Sequence, residues 1–389
     1  MMQAEILKTL EDSHTSGFYN KRDIMLVEGK GAKVYSASGK EYIDCVAGQG
    51  VALLGHGNPR VASAVTDQAR KIITCPEMFY NDKRAQFLNK LAEITPDGIE
   101  RFFLCNSGTE AVEAAIKIAR ISTGKKGIIA MKHGFHGRSL GALSATWQPK
   151  YREPVEPLVP GFTHINYNDA EALKKAIDDD TAAVIIEVIQ GEGGINIADY
   201  DYIKNISGVC KEKDVLLILD EIQTGFGRTG KYFAFEHYDI KPDLICMAKG
   251  IAGGIPMGVT AIGDKVGELP KRTHGSTFGG NPLACAAGLA SLGYIEENNL
   301  LARSQELGDY FLEKLRGMES DIVKDVRGKG LMIGVQLKQR VGPYLQALQD
   351  NGVLAFAAGT LVIRFLPPLV IEKEEIDFVM DVTKMVLKQ

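Results

Sequence analysis

Lys249 stands between an apolar run, DLICMA, and a glycine-rich stretch, GIAGG. An amine partly withdrawn from water has a lowered pKa and can act as a nucleophile, which is what a Schiff base requires. Asp220 ends another apolar run, VLLILD, and EIQTGFGRTG follows it. An acid at the end of a core strand costs desolvation unless it caps a helix or meets a cation, and a protonated ring nitrogen would be such a cation. Gln223 could offer a hydrogen bond beside it. After RFFLC come Ser107, Gly108 and Thr109, which open a segment of helical period. The first N–H groups of a helix, two hydroxyls and a residue without a side chain can receive a phosphate. Ser107 would serve equally as an N-cap, with Glu110 in the first turn. After GIIAM, Phe135 and His136 lie between Gly134 and Gly137, and Arg138 comes next. An aromatic held between glycines can lie flat on a planar ligand, and the Arg138 guanidinium is a fork suited to a carboxylate.

These four points form one list: a phosphate seat, a flat aromatic, an acid for a ring nitrogen and an amine for a Schiff base. That is the binding inventory of pyridoxal 5′-phosphate. No G-x-x-x-x-G-K-[ST] loop is present, and no G-x-G-x-x-G follows the first strong strands.

Each point sits just after a short apolar run, where ligands bind on doubly wound sheets. The runs RFFLC (101–105), GIIAM (127–131), AAVIIEVI (182–189), VLLILD (215–220) and DLICMA (243–248) read as buried parallel strands. Between them, TEAVEAAIKIARIST puts Ala111, Ala115 and Ile118 on one helical face. Alternating strand and helix predicts an α/β core with a mostly parallel sheet. From about residue 285 the pattern changes to long helices, then LMIGVQL, LVIRFLPPL and a last helix, as in a smaller α+β domain. KVYSASGKEYIDC reads as a hairpin. The expected organisation is therefore residues 1–55 joining the small domain, 56–284 as the large cofactor-binding domain and 285–389 as the C-terminal small domain.

With 389 residues the chain exceeds one ordinary core. Its 45% hydrophobic and 24% charged residues are those of a soluble globular protein. A net charge of −4 gives no electrostatic footprint for nucleic acid. No stretch is long and apolar enough for a membrane span, and MMQAEILKTLEDSHTSG lacks the apolar core of a secretory signal. The six scattered cysteines have no metal-binding spacing and read as buried, reduced thiols, so a cytoplasmic location without a bound metal is expected.

The chain resembles the class III (ornithine-type) pyridoxal-phosphate aminotransferases of fold type I. NSGTEA, FHGR, QGEGG, LDEIQTGFGRTG, AKGIAGGIPMG and HGSTFGGNPLA carry the resemblance, in the family's order and over nearly the whole chain. It departs at Val188, where the family often has proline, and at Val112, where it often has asparagine. The resemblance implies that Lys249 is the Schiff-base lysine and Asp220 the partner of the pyridinium. Gln223 would reach the ring's O3′ side, Phe135 would stack on the ring, and Ser107, Gly108 and Thr109 would hold the phosphate. It implies a homodimer in which Thr277 binds the phosphate of the neighbour's cofactor and Ser276 lies near substrate. Arg138 would grip the carboxylate of the ω-amino substrate, and Glu192 and Arg364 would form a switch pair. Within the family the chain is most similar to enzymes of lysine and arginine biosynthesis. There the substrate's α-amino group is tied to the C-terminal glutamate of a small acidic carrier protein, LysW, and glutamate and 2-oxoglutarate are the exchanging pair. N-acetylornithine aminotransferases, acting on free acetylated substrate, are the alternative. An aminomutase of the same fold would not need two carboxylate-binding arginines, so Arg138 and Arg364 favour a transaminase. A nicotinamide-dependent oxidoreductase would leave Lys249 unexplained.

Overall fold

The apolar runs form one seven-stranded sheet in the computed structural model, which describes residues 2–388. Across the sheet the strands are Ile99–Cys105, Gly258–Gly263, Leu244–Met247, Leu216–Asp220, Thr181–Ile186, Gly127–Met131 and Phe162–Ile165. Gly258–Gly263 alone runs against the others. The inner strands are buried along their whole length, as continuous rather than alternating apolar runs require. Helix Gly108–Thr123 lies on one face, with Ala111, Ala115 and Ile118 buried as the period predicts. Gly124 ends it at φ 70, the left-handed cap that glycine adopts without a Cβ penalty.

One run departs from expectation. AAVIIEVI is not a continuous strand: the ladder stops at Ile186, and Ile189–Gln190 pairs separately with Asn196–Ile197. The cause is Glu187, whose carboxylate accepts hydrogen bonds from the backbone N–H of Phe135 (2.9 Å) and Gly191 (3.0 Å). Satisfying that acid turns the chain out of the sheet.

The expected hairpin is present as Lys33–Ser36 against Glu41–Asp44, and Val353–Leu354 adds parallel to its outer strand. Leu366 N donates to Cys45 O (2.7 Å) and Leu369 N to Leu53 O (2.8 Å), tying the N-terminal segment to the C-terminal strands. Helix Pro282–Glu297 packs chiefly on helices Pro59–Ala69 and Asp82–Ile94 rather than with the C-terminal elements. A boundary at 284/285 would cut this helix off from its packing partners, so we propose that the smaller unit begins near Asn299. All six cysteines are free, and five are buried; Cys75 is the half-buried exception. No helix among the described residues is long and apolar enough to cross a membrane.

The glycine-bearing segment after Asp220 is a bolt rather than a loose loop. Glu221 is fully buried and accepts from Ala234 N (3.0 Å), Phe235 N (2.9 Å) and the Thr224 hydroxyl. These bonds fold the segment back on itself, with Gly227 at φ 97 and Gly230 at φ 91. Arg228, also fully buried, then donates to Leu331 O (2.9 Å) and Pro367 O in the C-terminal strands' neighbourhood. The same stretch that carries Asp220 thus fastens the central sheet to the smaller sheets.

Burial pushes the Glu221 carboxyl up to about 7, with Thr224 and the two N–H donors opposing. A carboxyl raised from its unfolded range favours the fold most when protonated. Its contribution is fully present below about 4.5 and is lost as pH rises through about 7, by roughly 3 kcal/mol at most. The stability difference between wild type and Glu221→Gln should therefore shrink or reverse from pH 5 to pH 8. Denaturant unfolding at the two pH values checks this; a constant difference would mean that Glu221 is ionised throughout.

Candidate active site

The carboxyl ends of the central strands open into a cavity of about 490 Å³. Ser107, Gly108 and Thr109 line one end of it, at the start of helix Gly108–Thr123. The Ser107 hydroxyl is used as a cap, donating to the Glu110 carboxylate at 2.9 Å and accepting from Glu110 N at 3.3 Å. Thr109 Oγ1 pairs with Ser139 Oγ at 2.6 Å. A Cβ on Gly137 would lie 2.3 Å from Thr109 Oγ1, so only glycine lets the Phe135–Arg138 segment approach this helix start. Phe135, Asp220, Lys249, Gln223, Glu192 and Arg138 complete the wall.

Asp220 is 4% exposed, and both its oxygens are engaged: Oδ1 accepts from Ile222 N (3.0 Å) and Oδ2 meets His136 Nδ1 at 2.7 Å. His136 is buried, and its other ring nitrogen has no partner among the described residues. Burial alone would lower the His136 pKa, but the hydrogen bond and charge of Asp220 outweigh it and raise it. Glu187, one strand away, is pushed up to about 7 by burial despite the neighbouring imidazole.

Lys249 adopts φ 48, a left-handed conformation that a residue with a side chain rarely takes. Its amine makes no hydrogen bond or ion pair among the described residues and lines the cavity. Burial lowers its pKa, with the Glu192 carboxylate pulling the other way. Both features belong to an amine held ready rather than spent on structure.

Arg364, on strand Val362–Phe365, is 1% exposed and lies behind the cavity wall. One of its nitrogens donates to Glu192 Oε1 (2.5 Å) and to Gln223 Oε1 (3.1 Å), while Nε and Nη2 are unpartnered. Burial would raise the Glu192 carboxyl; Arg364, then Lys249, outweigh it and hold it below the usual range. Arg327 fixes the backbone that carries Glu192, its Nε donating to Gly194 O (3.1 Å) and Ile195 O (2.9 Å). At the opposite lip Arg138 is exposed and makes no ion pair among the described residues.

Besides Arg364, two expected residues lie outside this chain's cavity. Ser276 Oγ accepts from Asn106 Nδ2 (3.2 Å), behind the cavity rim. Thr277 is exposed on the same loop. Sequence reasoning gave no role to His136, Glu187 or Ser139. Glu187 had a signal, as the one acid inside an apolar run; His136 stood beside Phe135 with nothing to show which way it pointed.

The arrangement fits pyridoxal phosphate. An unbonded amine, an ionisable acid backed by an imidazole, a phenyl ring and the free N–H groups of a helix start face one cavity. Among the described residues no cluster of His, Cys, Asp and Glu could hold a metal.

The family described as aminotransferase class-III matches residues 18–387. A [LysW]-aminoadipate semialdehyde transaminase of Deinococcus radiodurans is 50% identical over 97% of this chain and 89% of its own length. An acetylornithine aminotransferase of Methanosarcina mazei is 50% identical over 94% of this chain and 92% of its own. Among solved structures, the ornithine aminotransferase of Toxoplasma gondii with PLP in partial occupancy at its active site superposes with a TM-score of 0.94. It is 33% identical, over 99% of this chain and 94% of that one.

His136→Leu would leave one Asp220 oxygen without its partner. Losing a hydrogen bond to a charged group is worth about 1.5 kcal/mol, or roughly tenfold in a dissociation constant. Titrating cofactor-stripped protein with pyridoxal phosphate should show that weakening; an unchanged constant would mean that His136 does not orient Asp220.

Proposed function

The chain belongs to the class-III aminotransferases, and from that premise we propose that it moves the terminal amino group of a carrier-linked ω-amino acid to 2-oxoglutarate, or in the reverse direction. It is a pyridoxal-phosphate-dependent transaminase. The substrate would be lysine or ornithine attached to a small acidic carrier protein of the LysW kind, with the corresponding semialdehyde as product, in lysine and arginine biosynthesis. N-acetylornithine as free substrate is the second reading, supported by the Methanosarcina relative.

When bound, the cofactor supplies an aldehyde that accepts the amino group and a ring that draws electrons from the reacting carbon. Lys249 would anchor it and carry the proton from that carbon. Asp220, steadied by His136, would hold a proton on the ring nitrogen. Phe135 would lie on the ring, and Gln223 would bond to its edge. Ser107, Gly108 and Thr109 would seat the phosphate.

The observation that carries the reading is the pair of unlike arginines. Arg364 is buried and masked by Glu192; Arg138 is free at the lip. Glutamate brings an α-carboxylate to the reacting carbon, which Arg364 can grip once Glu192 lets go. An ω-amino substrate has only a methylene there, and an unpaired guanidinium in a dry pocket would be costly, so Glu192 stays. Arg138 then holds the distal carboxylate of that substrate. A permanent structural pair would not distinguish the two substrates.

Single-turnover spectra test both points together. Wild type should react faster with carrier-linked lysine or ornithine than with N-acetylornithine; the opposite order would favour the acetylated reading. Arg364→Ala should slow the glutamate half-reaction about a hundredfold and the ω-amine half-reaction far less. Equal losses would rule out a switch.

We also propose a homodimer with shared sites. Met78 (82% exposed), Phe79 (60%), Tyr80 (107%) and Phe278 (60%) form an apolar surface beside Thr277. Buried Arg84 binds its parts together, donating to Phe79 O (2.9 Å), Gly280 O (2.9 Å) and Cys75 O. Thr277 would complete the neighbour's phosphate seat. Lys249→Ala and Thr277→Ala proteins, mixed and refolded, should regain activity through hybrids carrying one unaltered site; no recovery would place Thr277 in its own subunit's site.

A further inference from the structure

Arg138 is held by a residue outside every motif that marks this site. Its guanidinium carbon lies 4.1 Å from the centroid of the Tyr151 ring and 5.9 Å from that of Phe135. The Phe135 and Tyr151 rings meet nearly edge-on, 6.0 Å apart at 79°. Tyr151 sits in a single turn, Pro149–Arg152, and is part-buried. Its phenol oxygen makes no hydrogen bond among the described residues, so the ring is present for its faces. Lys150, the residue before it, is exposed and puts its ammonium 4.6 Å from the same ring centroid. Neither Arg138 nor Lys150 meets a carboxylate among the described residues.

A guanidinium lying over a ring keeps its N–H donors in its own plane, clear of the ring and free for a carboxylate. The stack also removes rotamer freedom that a long side chain would otherwise lose on binding. Two cations meet one ring without a counter-ion among the described residues, and one of them, Arg138, lines the cavity, so together they offer a site for more than one negative charge. The proposed carrier-linked substrate has that chemistry. Glutamate at a carrier's C-terminus has two carboxyl groups. Whichever one forms the amide to the substrate, the other remains ionised close to the substrate's own carboxylate. An acetylated substrate presents one carboxylate only.

We propose that Tyr151 positions Arg138 and Lys150 as a two-carboxylate site, Arg138 for the substrate's own carboxylate and Lys150 for the free carboxylate of the glutamyl linker. The proposal rests on the reading of Arg138 as the grip for the ω-amino substrate. It makes Tyr151 a positioning residue and Lys150 a specificity residue, and it lets this chain distinguish a glutamyl-linked substrate from an acetylated one without touching the rest of a carrier.

Small probes test it. Ornithine is acylated on its α-amino group by N-acetylglutamate, in both linkage isomers, and each is compared with the same compound bearing a carboxamide in place of the glutamyl carboxylate. Wild type should prefer the carboxylate form of at least one isomer in kcat/KM by about fivefold or more, and Lys150→Gln should lose that preference. Tyr151→Leu should raise KM for all these compounds about 3- to 30-fold, the range expected of a cation–π contact. The loss should fall on KM rather than on kcat, and Tyr151→Phe, which keeps the ring, should behave as wild type. No preference for carboxylate over carboxamide in either isomer, or a Tyr151→Leu defect confined to kcat, would overturn the proposal. Arg138→Ala separates the two levels. If it does not raise KM for any ω-amino probe, the reading of Arg138 fails; if it does while Lys150→Gln retains the preference, only the two-carboxylate site fails.

Discussion

A buried carboxylate must meet a donor, and at the centre of this molecule Asp220 meets His136 at 2.7 Å. That contact joins the ends of two strands, Leu216–Asp220 and Gly127–Met131, that are not neighbours; Thr181–Ile186 lies between them. The imidazole can reach across because the intervening ladder stops at Ile186 and Glu187 turns aside. Glu187 in turn anchors Phe135 N and Gly191 N, so the segments carrying the phenyl ring and Glu192 hang from one acid. Charges that would be costly singly are arranged so that each fixes the next segment.

The same logic governs the other side of Asp220. Glu221 has no cation, and three donors from residues 224–235 gather around it instead. The resulting fold-back directs Arg228 into the smaller sheets, where carbonyls and not carboxylates receive it. Arg364 returns from those sheets to Glu192 and Gln223. The cavity wall at Glu192 and Gln223 is therefore tied to the smaller sheets.

Much of this was legible in the sequence, for a physical reason. Parallel strands buried on both faces must be continuous apolar runs, and the polar residue that ends each run must have a task. That reasoning marked Lys249, Asp220, Phe135, Arg138 and Ser107–Thr109, all of which the fold brings to one cavity. Arg364 and Glu192 could not be paired by local pattern, because they are far apart in the chain and meet only through tertiary packing. His136 was invisible because a histidine between glycines has no periodicity to show which face it takes. The continuous strand expected over 182–189 failed because an apolar count does not register what one buried acid demands of its backbone. No local pattern tied Tyr151 to Arg138, since their contact depends on where the Pro149–Arg152 turn comes to rest.

The two arginines show how exposure sets what a charge can do. Arg364 is enclosed, so any carboxylate that reaches it displaces little water but must displace Glu192, and the exchange depends on the difference between two strong ion pairs. Arg138 is open to solvent, where an ion pair alone is worth little. Its usefulness to a ligand then depends on being oriented in advance, and the Tyr151 ring 4.1 Å away supplies that orientation without consuming a donor. The buried arginine is paired by Glu192 and the exposed one is backed by the Tyr151 ring, and the two partners come from different parts of the fold.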